Sequence, residues 1–335
     1  MSFLDLCVFV CVLFFESFWN SPQLIVLMIW VLAISSLMTV IERKGLASSQ
    51  RRTGPSYHGW FGLLQIVGDG LKLIYKDYGF VGLFRSSVTS GLNVSIWFPP
   101  IWSFVWSYLL FATWYSNYNS LMGIQYWFLL LFLIQGISHL GLVVCGMYTL
   151  SKWTILASIR SLVVYLVYDL SLLLTWLILS PHSKMGNNLF ESGNVGTLSS
   201  YMESQESGMN LFLYPWIVIL YYITTLVECG RIPSDLTEAE SELVSGYNTE
   251  FGGFLYALFA SAEYSNMLFH SIAISTLILG SCHLIGLVLQ FSLVFFSFLM
   301  IRSCLPRFRY VDLLSLSWYY ILPFQGLMLV FLLVF

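Results

Sequence analysis

Two carboxylates stand in stretches otherwise fit for hydrocarbon. Asp169 falls near the middle of an apolar run over residues 154–179, and Glu263 lies within another over residues 254–278. An ionised Asp at the centre of a membrane helix costs about 2.5–3.5 kcal/mol on insertion scales, so such a group faces protein or water and is by default a relay or binding candidate. The plain alternative is a protonated carboxyl bonded to a neighbour such as Tyr165, one turn before Asp169. A denser acidic group lies between these two. Glu228, Asp235, Glu238, Glu240, Glu242 and Glu250 fall within 23 residues, against the single cation Arg231. In a helix Asp235, Glu238 and Glu242 share one face, at i, i+3 and i+7. Like charges so close favour protonated forms of some members, which suits coupled proton transfer. A solvated acidic face docking on a basic partner is one alternative. A metal site is another, with no histidine nearby in the chain.

The basic residues have their own centre. Glu42-Arg43-Lys44 is followed by Gln50-Arg51-Arg52-Thr53-Gly54-Pro55 and by the stretch from Gly62 to Leu73. Leu64, Val67, Leu71 and Ile74 recur at helical spacing, while Gln65, Asp69, Lys72 and Lys76 take another face. That pattern predicts an amphipathic helix lying in the membrane interface, with anchoring on anionic lipid head groups as its simplest use. His58, His139, His182, His270 and His283 are scattered, and no helix presents a pair on one face. Haem held between helices is therefore not expected, and single histidines read as members of polar networks. Cys7, Cys11, Cys145, Cys229, Cys282 and Cys304 form no Cys-x-x-Cys or Cys/His spacing, so no metal or iron–sulfur site is expected in this chain. Nor does a Gly-rich phosphate loop follow a strand.

The elements that must position these groups are membrane helices. Of 335 residues 58% are hydrophobic and 9% charged, where a soluble domain carries about a quarter. Apolar runs of spanning length cover residues 22–41, 91–115, 125–148, 154–179, 211–227, 254–278, 284–301 and 313–335, predicting eight transmembrane helices in one polytopic domain. Thirteen of the fourteen Lys and Arg residues fall in or beside odd-numbered loops, Lys184 being the exception, so those loops are expected on the cytoplasmic or matrix side. They comprise residues 42–85 and the acidic stretch 228–253; the polar 180–210 loop faces the other way. A net charge of −3 excludes nucleic acid as an evident partner. Residues 1–21 hold a short apolar run preceded by Asp5 and no basic residue, which reads as an interfacial extension and not as a secretory signal or transit peptide.

Taken together, the two loops resemble subunit 1 of the proton-pumping respiratory NADH:quinone oxidoreductases. The first match runs through Glu42-Arg43-Lys44, Gln50, Arg52, Gly54-Pro55, Gly62-Leu63-Leu64-Gln65, Asp69 and Lys72. The second begins at Leu226-Val227-Glu228 and Arg231-Ile232-Pro233. It continues from Asp235 through Asn248 to Glu250, and then to Ala262-Glu263-Tyr264-Ser265-Asn266. Pro306-Arg307-Phe308-Arg309-Tyr310 is the third. Departures from the family pattern are Ala47 for Gly, Ser56 for Asn, Ile66 for Pro, Asp77 and Asp169 for Glu, Ser234 for an aromatic and Ala239 for Gly.

The resemblance implies an all-α heel subunit of eight transmembrane helices, of which helices two to six look like the five-helix unit of antiporter-like subunits. It implies that Glu42, Arg43, Gln50, Arg52, Gln65, Asp69, Lys72, Arg231 and Asp235 help form a ubiquinone chamber. It further implies that Asp169, Glu228, Glu238, Glu240, Glu242, Glu250 and Glu263 begin a proton relay. Partners would be the hydrophilic quinone-module subunits, which with the rest of the redox arm carry FMN, NADH and iron–sulfur clusters, together with antiporter-like membrane subunits and lipid. No redox cofactor is expected in this chain. A stand-alone proton- or sodium-coupled transporter using the same acids is the alternative from another class. A structural heel with docking acids, or the corresponding subunit of a membrane-bound hydrogenase, are further readings. Nine Ala against 47 Phe plus Tyr suggests an AT-rich organellar gene and the mitochondrial inner membrane, with a bacterial plasma membrane as alternative.

Overall fold

The computed structural model describes residues 22–76, 90–118, 127–149, 151–179, 211, 214–235, 246–280 and 284–334. Every regular element among them is a helix. Helices satisfy their own backbone groups, which hydrocarbon demands of any single segment crossing it. In chain order they are α1 (Pro22–Ser49), α2 (Gln65–Tyr75), α3 (Ser90–Tyr118), α4 (Trp127–Thr149), α5 (Lys152–Leu179), α6 (Pro215–Glu228), α7 (Gly253–Ile274), α8 (Leu284–Cys304), α9 (Tyr310–Leu316) and α10 (Leu322–Val334). A π-type turn, Ser275–Leu279, extends α7, and another, Ser317–Ile321, joins α9 to α10.

Among the described residues, five stretches are long and apolar enough to cross a membrane: Ile25–Ser49, Leu129–Thr149, Lys152–Leu179, Gly286–Cys304 and Tyr310–Phe331. The protein is a multi-pass membrane protein. The other three expected spans differ for physical reasons. Helix α6 is apolar but has 14 residues. Helix α3 is rich in Trp, Tyr and Ser and holds Pro99 and Pro100, and α7 carries the polar Glu263, Asn266 and His270 among its apolar residues.

One apolar core joins α1 and α3 through α8, with Val31, Leu110, Leu131, Leu172, Ile217 and Phe298 buried in it. A smaller one, built on Val164, Tyr168, Val227, Leu313 and Ile321, seats the α9–α10 rod on α5 and α6. The Tyr168 hydroxyl donates to the Leu313 carbonyl at 3.1 Å across that seam. Most buried Ser and Thr hydroxyls bond carbonyls three or four residues back in their own helix, so they cost little inside the membrane. Helix α2 packs on α7 and α1. Leu64, Val67, Leu71 and Ile74 remain exposed on this chain, the apolar stripe the spacing predicted.

Helices α4 and α5 approach closely at Gly146, where an added Cβ would overlap the Ser158 side chain. Small residues are what permit such contact between membrane helices. Gly146→Leu is therefore expected to cost roughly 1–3 kcal/mol, read as a lowered thermal midpoint of the detergent-solubilised assembly. An unchanged midpoint would mean the two helices are not held together here.

The C-terminal ends of α1, α6 and α8, the segment after α8 and the first half of α7 meet at one end of the bundle, through Arg302 and Tyr264 on Glu42 and Arg307 on Asp235. The Phe308 N–H also donates to the Pro233 carbonyl at 3.0 Å. Residues 1–21 and 180–210, with Asp77, Glu238, Glu240 and Glu242, lie outside the described residues. So the shared face expected of Asp235, Glu238 and Glu242 is described only at Asp235, which sits in the turn after α6.

Candidate functional site

Gln135 and His139 stand at i and i+4 on α4 and so share one face. That face meets Asp169 of α5, Glu228 at the end of α6, and His270 of α7. His139 Nε2 is 2.8 Å from Glu228 Oε2 and 3.8 Å from Asp169 Oδ1. The Gln135 amide donates to Glu228 Oε2 at 3.3 Å and lies 3.0 Å from His270 Nε2. Tyr165, one turn before Asp169, stacks its ring on His139 with centroids 4.1 Å apart and planes 12° from parallel. The suggested Tyr165–Asp169 bond is thus replaced by a stack that fixes the imidazole plane. Gly136 has no side chain to fill the space beside Asp169, whose Oδ2 would lie 3.9 Å from an added Cβ.

Asp169 and Glu228 are 4% and 2% exposed. Asp169 Oδ1, Glu228 Oε1, Gln135 Oε1 and His270 Nδ1 have no hydrogen-bond partner among the described residues. Each such group costs about 1–3 kcal/mol if left unmet. A shared proton or a water is what would meet that need at lowest cost. The ligand-type atoms of His139, Asp169 and Glu228 lie within 4.8 Å of one another. The Gln135 amide also aims a donor at one Glu228 oxygen, at 3.3 Å.

A second cluster sits at the bundle end. Glu42, 3% exposed on α1, pairs with Arg302 and accepts from the Tyr264 hydroxyl. Arg231 reaches toward both Glu42 and Glu263, at 3.9 and 3.8 Å, and its guanidinium lies 4.5 Å over the Tyr264 ring. The Tyr247 hydroxyl donates to Glu263. A cavity of about 40 Å³, enough for a few waters, joins the two clusters. Its walls include His139, Tyr165, Glu228, Tyr247, Glu263 and Asn266.

The sites expected from sequence therefore divide. Glu228 and Glu263 line this cavity, with Asp169 beside His139 and outside its walls. Glu42, Arg231 and Asp235 are engaged in ion pairs at the bundle end, Asp235 with Arg307 at 3.0 Å. Arg43 pairs with Asp69 at 2.5 Å while Gln65 donates to the same carboxylate at 2.8 Å, tying α1 to α2. Gln50, Arg52 and Lys72 are exposed. The Glu250 backbone closes a 3₁₀ turn, Gly246–Glu250, just before α7. Ser234, where the family pattern has an aromatic, donates to the carbonyls of Leu226 and Arg231 and is spent on shaping its own turn. Sequence reasoning missed His139, Gln135, His270, Tyr247, Tyr264 and Arg302 as site members. The i, i+4 pair of polar residues in an otherwise apolar α4 was the available signal for the first two.

Comparison with known proteins gives the family. Residues 22–333 match the family model described as NADH dehydrogenase. The chain is 32% identical over 307 residues to NADH-ubiquinone oxidoreductase chain 1 of Candida albicans, covering 90% of each. It is 33% identical to the chain 1 of Artemia franciscana, over 90% of this chain and 94% of the relative. A bacterial relative, from the NADH-quinone oxidoreductase of Rhodospirillum rubrum, is 30% identical, over 90% of this chain and 89% of its own length. The chain belongs to the NADH dehydrogenase family, beside the membrane proteins named chain 1 of NADH-ubiquinone oxidoreductase.

Proposed function

We propose that this chain is the subunit of a proton-translocating NADH:ubiquinone oxidoreductase in which reduction of quinone is first felt by buried acids. The supporting observation is that Glu263 and Glu228 line one cavity, with Asp169 and His139 at its inner side. Quinone is taken up beside the Glu42–Lys72 segment and the turn holding Arg231 and Asp235, at the end where these charges gather. Its reduction by a cluster in a hydrophilic partner subunit consumes protons and shifts local charge. Glu263, Glu228 and Asp169 answer by coupled changes of protonation, with Glu238, Glu240, Glu242 and Glu250 supplying the outer part of the same path. Antiporter-like membrane subunits receive the signal.

The same reading takes eight spans in one polytopic domain, α3, α6 and α7 completing the five longer ones, in the mitochondrial inner membrane.

Asp169→Asn tests the relay. The amide keeps the shape of the side chain but cannot ionise. In the assembled complex, quinone-dependent NADH oxidation and the coupled proton movement are expected to fall at least about tenfold. Full turnover with normal proton movement in that variant would refute the relay role of Asp169.

A further inference from the structure

We propose that His139 carries the proton between Glu228 and Asp169, so that the inner step of the path runs through an imidazole. The inference rests on the relay reading above and adds a member that the acids alone do not supply. Three observations converge on it.

First, Nε2 of His139 is within ordinary hydrogen-bond distance of Glu228, at 2.8 Å, and within a small side-chain movement of Asp169, at 3.8 Å. The same nitrogen therefore lies near both acids. Second, the ring is held for this purpose. Tyr165 stacks on it at 4.1 Å, fixing the imidazole plane while leaving the ring edge toward the acids. Third, His139 itself walls the cavity that leads to Tyr247 and Glu263, so it stands where the water-lined part of the path ends and the buried acid pair begins.

The groups facing His139 are Asp169 and Tyr165 from α5, Glu228 from α6, and His270 of α7 by way of Gln135 on its own helix. No cation among these competes with an imidazolium for the two carboxylates. The step balances as one proton moved. Protonated Glu228 gives its proton to the Nε2 lone pair, leaving a Glu228 carboxylate and an imidazolium. Nε2 then releases that proton to the Asp169 carboxylate, which becomes the neutral acid as the imidazole returns to its starting form.

The test uses the assembled complex carrying His139→Gln, which keeps a polar side chain but no titratable nitrogen. Quinone-dependent NADH oxidation and proton movement are expected to fall at least about tenfold, while NADH oxidation by a small water-soluble acceptor stays unchanged. Native turnover in His139→Gln overturns the inference. If His139→Gln does not assemble, Tyr165 decides. Tyr165→Phe keeps the stack and is expected to retain turnover, whereas Tyr165→Leu removes it and is expected to lose at least about threefold. Equal turnover in those two overturns the inference. Normal His139→Gln with inactive Asp169→Asn would leave the wider relay standing. Normal turnover in both would remove the relay itself.

Discussion

Glu228→Gln is expected to leave an assembled complex whose NADH-driven quinone reduction has fallen by about a hundredfold. Glu228 is the acid on which both halves of the site converge. It walls the cavity reaching Glu263, it lies 2.8 Å from His139, and its Oε2 accepts from Gln135. The amide of Gln occupies the same volume and its carbonyl still accepts from Gln135, so packing around this buried position survives. What disappears is the ability to hold and release a proton. NADH oxidation by a small water-soluble acceptor, which does not require the quinone step, is expected to stay at the native rate. Retention of more than about half the native quinone-reducing rate, within the ordinary scatter of a neutral substitution, would show that protons do not pass through Glu228.

Much of the path is legible without any fold, for a definite reason. A carboxylate in an apolar run is expensive enough that it announces itself, and Asp169 and Glu263 stand out on that ground alone. The amphipathic helix is legible too, since Leu64, Val67, Leu71 and Ile74 follow helical spacing whatever surrounds them. The partners of the acids are not. Gln135 and Glu228 are 93 residues apart in the chain, Gln135 and His270 are 135 apart, and Glu42 and Tyr264 are 222 apart. No local pattern reaches that far, so in the sequence His139 is a solitary histidine and Arg302 one charge in a count of sidedness. The nine residues expected around quinone form one group in the sequence because they fall in two loops. In space Glu42, Arg231 and Asp235 are drawn into buried ion pairs, while Gln50, Arg52 and Lys72 stay on the surface.

The second large effect concerns assembly and not chemistry. Arg302→Met removes the close cation from Glu42, a carboxylate 3% exposed. What remains is the Tyr264 hydroxyl and Arg231, whose nearest nitrogen is 3.9 Å away. Stripping one partner from a buried ion pair typically costs about 3–5 kcal/mol, because the charge left behind stays out of water. That is a large share of the stability of any domain. The amount of assembled complex on native gels is expected to fall severalfold, with a lowered thermal midpoint in what remains. Glu42→Gln in the same chain is expected to recover most of the loss, since it removes the stranded charge while keeping the acceptor for Tyr264. Native amounts of assembly in Arg302→Met would mean that Glu42 is not held as an ion pair. Failure of Glu42→Gln to recover any of it would place the defect in packing around Arg302 instead.

The central claim is that acids buried between α4, α5, α6 and α7 change protonation when quinone is reduced at the end of the bundle. Infrared difference spectroscopy of the native complex, triggered by quinone reduction, reads this directly in the carboxyl stretching bands of protonated acids. The account predicts such bands in the native complex, diminished when Glu228→Gln or Asp169→Asn is introduced. Identical difference bands in the native and both variant complexes would contradict it.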